Sequence, residues 1–179
     1  VGRIHRIGSA SDFKHRRDIS AQRMATESRL FVQDEFVPIE LGTAYRTLAA
    51  DCDAVATEIL AGMGYEDMQR IHGDCHSGNI LWRDDMAHFV DLDDCVMGPA
   101  IQDVWMFLSG ERHHQERQLS EFVEGYEEFH DFDPRQLNWI ESLRTLRIMH
   151  HARWLAKRWS DPAFTKAFPW FGQGRFWSD

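Results

Sequence analysis

The sequence predicts a mainly helical, α+β domain with one small β-hairpin. Apolar residues recur at spacings of three and four over several long stretches, the period of a helix face. Residues 80–90 break that period. Two short apolar runs, Ile80-Leu81-Trp82 and Phe89-Val90, flank a polar Asp84-Asp85 step and read as strand, turn, strand. Strands and helices do not alternate along the chain, so no parallel sheet is expected.

Each element follows from local signals. Residues 1–8 read as the end of a helix, with Val1, Ile4 and Ile7 on one face and Gly8 as its stop. This opening lacks a start signal, which reads as a fragment entered mid-pattern. Residues 9–18 are polar and basic (Lys14, His15, Arg16, Arg17) and are expected to be a solvated loop, with a contact to phosphate or an acidic partner as the alternative. Residues 20–33 are weakly helical. From Pro38, Leu41, Tyr45, Leu48, Cys52, Val55 and Ile59 define the buried face of a long helix that Gly62 and Gly64 end. Gly98-Pro99 breaks the chain before a short apolar helix over 100–109. A helix over 111–129 carries Leu119, Phe122, Val123, Tyr126 and Phe129 on one side. Asp133-Pro134 starts another helix, running to about 159, and Gln136 can reach back as its capping partner. Asp161-Pro162 ends that helix and can start another. The terminal aromatics Phe168, Trp170, Phe171, Phe176 and Trp177 are expected to pack rather than to bind.

The bulk properties narrow the function. The 179 residues are 43% hydrophobic and 12% aromatic, which is enough for a folded core. A net charge of −9 argues against a nucleic-acid partner bound through its phosphates. Cys52, Cys75 and Cys95 have no disulfide or zinc-finger spacing, so a reducing compartment is the simplest reading. No stretch approaches a membrane span.

Chemistry concentrates in residues 70–94, RIHGDCHSGNILWRDDMAHFVDLDD. His72 and His76 are four apart, as in zinc-protease helices, but Gly73 stands where that motif needs Glu. Phosphoryl transfer fits better. It needs a carboxylate to orient or deprotonate the attacking hydroxyl and hard oxygen ligands for a phosphate-bridging cation. Asp74 and Asn79 have the Asp-x-x-x-x-Asn spacing of kinase catalytic loops, and Asp91 follows the second strand as the second acid does there. A hairpin can bring Asn79 and Asp91 to one end of the strand pair.

HGDCHSGNILW followed by FVDLDD resembles the aminoglycoside phosphotransferase and choline kinase superfamily. GRIHRIG, FVDLDDCVMGPAIQDVWMFLSG and RWSDPAFTKAFPW are similar, within it, to the stress response kinase A family. The resemblance implies the C-terminal lobe of a protein-kinase-like fold over residues 1–179, with the N-terminal nucleotide-binding lobe absent. It implies Asp74 as catalytic base, Asn79 and Asp91 as Mg2+ ligands, and Asp93 as an aid to a second metal. His72 and His76 would shape the catalytic loop, and Asp103 would brace it through backbone amides. It further implies ATP as co-substrate and a serine/threonine protein as acceptor. A small hydroxyl-bearing substrate (aminoglycoside, choline or homoserine-like) and a non-catalytic kinase-like module are the alternatives. No Gly-rich phosphate loop or Val-Ala-x-Lys-like strand precedes residue 70. The isolated chain is therefore expected to bind Mg-ATP weakly and to show no appreciable turnover. Cys75 and Cys95 carry no assigned task.

Overall fold

The structure is a computed structural model that describes residues 1–178. Its helices are α1 (Gly2–Gly8), α2 (Glu27–Glu35), α3 (Gly42–Leu60), α4 (Gln102–Trp105), α5 (Arg112–Glu127), α6 (Ile140–Arg158), α7 (Pro162–Ala167) and α8 (Gly174–Ser178). The strands are β1 (Gln69–Ile71), β2 (Ile80–Arg83), β3 (Met86–Phe89) and β4 (Val96–Gly98). The mainly helical expectation holds, and the hairpin is β2–β3. The antiparallel pair β1–β4 is additional. Three-residue strands are too short to show a period of two, and 24 residues intervene between Ile71 and Val96.

Two compact units divide the chain. The first comprises residues 1–19 and 63–140. Ile71 pairs with Val96, Arg70 with Met97 and Gln69 with Gly98. The Ile19 amide donates to the Met97 carbonyl at 2.9 Å, and the Met97 amide to that of Arg17 at 3.2 Å, so residues 17–19 extend this small sheet. Ile71, Met97, Ile101, Val104, Tyr126 and Trp139 are buried.

Helix α1 packs on β1 and α5, but not through the face expected. Gly2, His5 and Gly8 are its buried residues, while Ile7 is exposed. A Cβ on Gly2 would lie 2.7 Å from the Tyr126 carbonyl oxygen, and one on Gly8 would collide with that of Arg70. Glycine at position 8 therefore serves close backbone approach, since the helix ends in ordinary right-handed geometry at Ser9. The short helix after Pro99 is confined to α4. Helix α5 turns Phe122 and Val123 inward around the buried Tyr126, as expected, and Phe129 follows in the turn just past its end. Asp133 caps the next segment by accepting from the Arg135 amide at 2.9 Å. That segment, Pro134–Trp139, is 3-10 rather than α. Gln136 does not reach back: its Oε1 accepts from the Ile101 amide at 3.0 Å.

The second unit comprises residues 20–62 and 141–179, of which Asp179 lies outside the described residues. The weakly helical segment resolves into a π-helical turn, Gln22–Thr26, running into α2. Helix α3 has its predicted extent but a different inner face. Ala49, Asp53, Ala56 and Leu60 are buried, whereas Leu48, Val55 and Ile59 are 67%, 55% and 40% exposed. Cys52 is half-buried rather than core. The physical reason is Asp53. Its carboxylate accepts from Thr26 Oγ1 at 2.9 Å and from Arg29 Nε at 2.8 Å, so the helix face that meets α2 is set by a polar anchor between alanines. Val32, Leu155, Ala156 and Phe171 form the buried nucleus of this unit, with Trp154, Trp159, Phe168 and Trp177 against it. Trp177 Nε1 donates to the Phe171 carbonyl at 3.1 Å, so the terminal aromatics do pack.

Candidate active site

The loop from His72 to Asn79 leaves β1 and enters β2. Gly73 takes φ +84°, a left-handed turn that glycine adopts without cost. Its amide donates to Asp103 Oδ1 at 2.8 Å, and the His72 amide donates to Asp103 Oδ2 at 2.7 Å. Asp103, in α4, is fully buried. Its neighbour Gln102 donates from Nε2 to the Gly73 carbonyl at 3.2 Å. Helix α4 thus grips both sides of the peptide units that precede Asp74.

Both nitrogens of His72 are engaged. Nε2 donates to the Val90 carbonyl at 2.9 Å, and Nδ1 accepts from the Asp74 amide at 3.4 Å. That fixes the tautomer and removes the ring as a metal ligand. His76 Nδ1 accepts from the Gly78 amide at 3.0 Å, capping the 3-10 turn Ser77–Asn79, and its Nε2 lies 3.7 Å from Asp74 Oδ2. The two histidines hold loop geometry by these bonds.

Asp74 and Asn79 meet directly. Asn79 Nδ2 donates to the Asp74 carbonyl at 2.9 Å and lies 3.4 Å from Asp74 Oδ2. Both partners are acceptors, so the amide nitrogen is assigned to that side and Oδ1 remains as a hard oxygen donor. The Val90 amide donates to the Asn79 carbonyl at 3.0 Å, continuing the β2–β3 ladder by one step. Asp91 therefore starts beside Asn79. It is exposed and adopts φ 62°, ψ 62°, a left-handed conformation uncommon outside glycine and best tolerated by Asn and Asp. Asp93 lies exposed in the following 3-10 turn, Leu92–Asp94. Asp84 and Asp85 form the exposed hairpin turn at φ 51° and 58°, the twist-matched two-residue type.

Sequence reasoning missed four contributors. Arg16, read as solvated, donates from Nη1 to the carbonyls of Asp93 and Cys95, pinning the segment after Asp91. His5 Nε2 donates to Asp103 Oδ2 at 2.9 Å, and His5 Nδ1 lies 2.9 Å from the Tyr126 hydroxyl. Gln102 is the fourth. No spacing rule flags such residues, because their partners lie up to 121 positions away. Cys75 is buried beside Asp74, and burial pushes its thiol well above the usual cysteine range; burial raises Cys95 as well. Both shifts favour the thiol over the thiolate.

Among the described residues, no three His, Cys, Asp or Glu side chains gather as a complete metal cage. The family model for the "Phosphotransferase enzyme family" matches residues 1–140. The chain belongs to the phosphotransferase enzyme family. It is 42% identical over 178 residues to "Stress response kinase A" of Escherichia coli (strain K12) and 40% identical to "Serine/threonine protein kinase RdoA" of Salmonella typhimurium. Each match covers 99% of this chain and 53% of the relative, so the chain spans about half the length of the curated relatives it matches. Two solved structures share the fold. Amicoumacin kinase in complex with AMP-PNP, Ca2+ and Ami superposes with a TM-score of 0.64 at 18% identity, covering 96% of this chain and 54% of that one. Spectinomycin phosphotransferase APH(9)-Ia in complex with ADP and spectinomycin gives 0.63 at 15% identity, covering 97% and 59%. The helical architecture is thus that of a kinase-like phosphotransferase lobe. No helix of the described residues is long and apolar enough to cross a membrane.

Proposed function

We propose that this phosphotransferase chain is the C-terminal, site-bearing lobe of an ATP-dependent serine/threonine protein kinase of the stress-response type. In this reading the rest of the protein contributes the nucleotide-covering lobe, and the enzyme works in the cytoplasm. The observation that carries it is the link Asp74–Asn79–Val90: two hydrogen bonds set a carboxylate, a primary amide and the start of Asp91 at one end of a hairpin. Kinase chemistry needs that set in that order.

Asp74 is the base that orients the acceptor hydroxyl and takes its proton. Asn79 Oδ1 and the Asp91 carboxylate hold Mg2+, with Asp93 available to a second ion. The donor set fits that ion. Mg2+ keeps several waters and takes one or two protein oxygens plus substrate phosphates, so it needs no complete protein cage. When bound, it neutralises charge developing on the transferred phosphoryl group. His72, His76 and Asp103 keep Asp74 aimed. The acceptor is a protein hydroxyl, supported by the 40–42% identity to the stress response and serine/threonine kinases.

The test uses the full-length protein with labelled ATP, a generic protein substrate and an aminoglycoside panel. Protein phosphorylation that requires Mg2+, and that falls by orders of magnitude in Asp74→Ala and Asp91→Asn, is the expected result. Unchanged rate and Mg2+ dependence in Asp91→Asn would overturn the metal assignment. Transfer to an aminoglycoside with none to protein would replace the acceptor.

A further inference from the structure

We propose that His5, backed by Tyr126, is a positioning residue for phosphoryl transfer, acting through Asp103 on the backbone that carries Asp74. The proposal rests on the kinase reading above and adds to it a group from outside the catalytic segment.

Asp103 is 0% exposed. A buried carboxylate is costly unless hydrogen bonds replace its hydration. Three donors do so: the His72 amide at 2.7 Å, the Gly73 amide at 2.8 Å and His5 Nε2 at 2.9 Å. His5 is the one side chain among them. It shares Oδ2 with the His72 amide, so the imidazole and that amide together fix where the oxygen sits. An ionised carboxylate only accepts, which puts the hydrogen on Nε2. The other ring nitrogen meets the Tyr126 hydroxyl, and burial holds that phenol protonated by raising it far above its usual range.

The ring itself is fixed from outside. His5 is fully buried and stands edge-on to Tyr126, with centroids 5.6 Å apart. Gly2, one turn earlier, lets α1 settle on α5 at Tyr126. The chain of contacts is then Tyr126, His5, Asp103, His72–Gly73, Asp74, and every member before Gly73 is buried. Without the His5 donor, the carboxylate must rotate or admit water. The two amides it holds shift with it, and Asp74 is the next residue along. A displacement of about 1 Å in a catalytic group can cost about a hundredfold in rate.

The experiment uses the full-length protein. His5→Leu removes the donor, His5→Gln keeps an amide N–H near the Nε2 position, and Tyr126→Phe removes only the hydroxyl. His5→Leu is expected to lower kcat by about tenfold to a hundredfold while the KM for ATP stays within about threefold. His5→Gln should recover most of that loss, and Tyr126→Phe should lose only a few-fold. Hydrogen exchange at the His72 and Gly73 amides, read by NMR, should accelerate in His5→Leu while the β2 and β3 amides stay protected. A folded His5→Leu enzyme with wild-type kcat overturns the proposal, as does a His5→Gln enzyme no better than His5→Leu. A wild-type protein that transfers no phosphate defeats the kinase reading separately. The exchange measurement still decides the brace in that case: unchanged exchange at His72 and Gly73 overturns it.

Discussion

Gly73 sits against the carbonyl oxygen of Asp94 so closely that no side chain fits between them. A Cβ there would overlap that backbone oxygen and press on the Val96 side chain at 3.2 Å. The contact joins the loop that carries Asp74 to the segment that follows Asp91. Gly73→Ala is therefore expected to destabilise the fold by about 1–3 kcal/mol, from the φ of +84° and the clash together. Gly125→Ala is the control. Gly125 lies inside α5, and a Cβ there meets nothing within 4 Å, so it should stabilise by about 0.5–1 kcal/mol. Denaturant midpoints for the two variants, moving in opposite directions, would check this.

Histidine 150 gives a pH dependence whose sign can be worked out. Burial is the main cause that pushes its imidazole down to about 4, and Arg23, Arg153, Arg147 and His151 add repulsion. The unfolded chain binds a proton near 6.5, while the folded chain stays neutral to about 4. Between these values the unfolded state holds more protons, so stability falls as pH drops through that window. His130, lowered chiefly by burial, acts in the same direction. Urea unfolding from pH 7.5 to 4 should show a loss on the order of 2 kcal/mol from His150. His150→Phe should flatten the curve, and an equal slope in that variant would assign the loss to other groups.

The candidate segment was legible because its contacts are local. Asp74 and Asn79 are five residues apart and hydrogen-bond across that interval, and the hairpin that brings Asp91 alongside closes with a two-residue turn. The helices were legible in extent but not in orientation. Reading for apolar residues selected Val1, Ile4 and Ile7 in α1 and Leu48, Val55 and Ile59 in α3. The buried faces instead carry Gly2, His5 and Gly8, and Ala49, Asp53 and Ala56. In both helices small residues allow close approach and one polar side chain anchors the contact. Periodicity reports the spacing of such a face, while hydrophobicity points to its neighbours. The partners that make His5 and Asp53 worth burying lie on other elements, where a single sequence gives no signal.

That reading of α3 can be tested by substituting both candidate faces. Leu48 and Val55 stand mostly in solvent, so Leu48→Ser and Val55→Thr should each change stability by no more than about 0.5 kcal/mol. Ala56 is 2% exposed, and Ala56→Leu must force three extra carbons into a packed contact. The cost should be about 1–3 kcal/mol. Asp53→Ala should be at least as damaging. It strands Arg29 Nε and Thr26 Oγ1, both half-buried and bonded to that carboxylate at 2.8–2.9 Å, and an unmet donor of this kind costs about 1–3 kcal/mol. Thermal or denaturant unfolding of the four variants separates the two faces. Large losses at Leu48 and Val55 with tolerance at Ala56 would put the helix back on its apolar side.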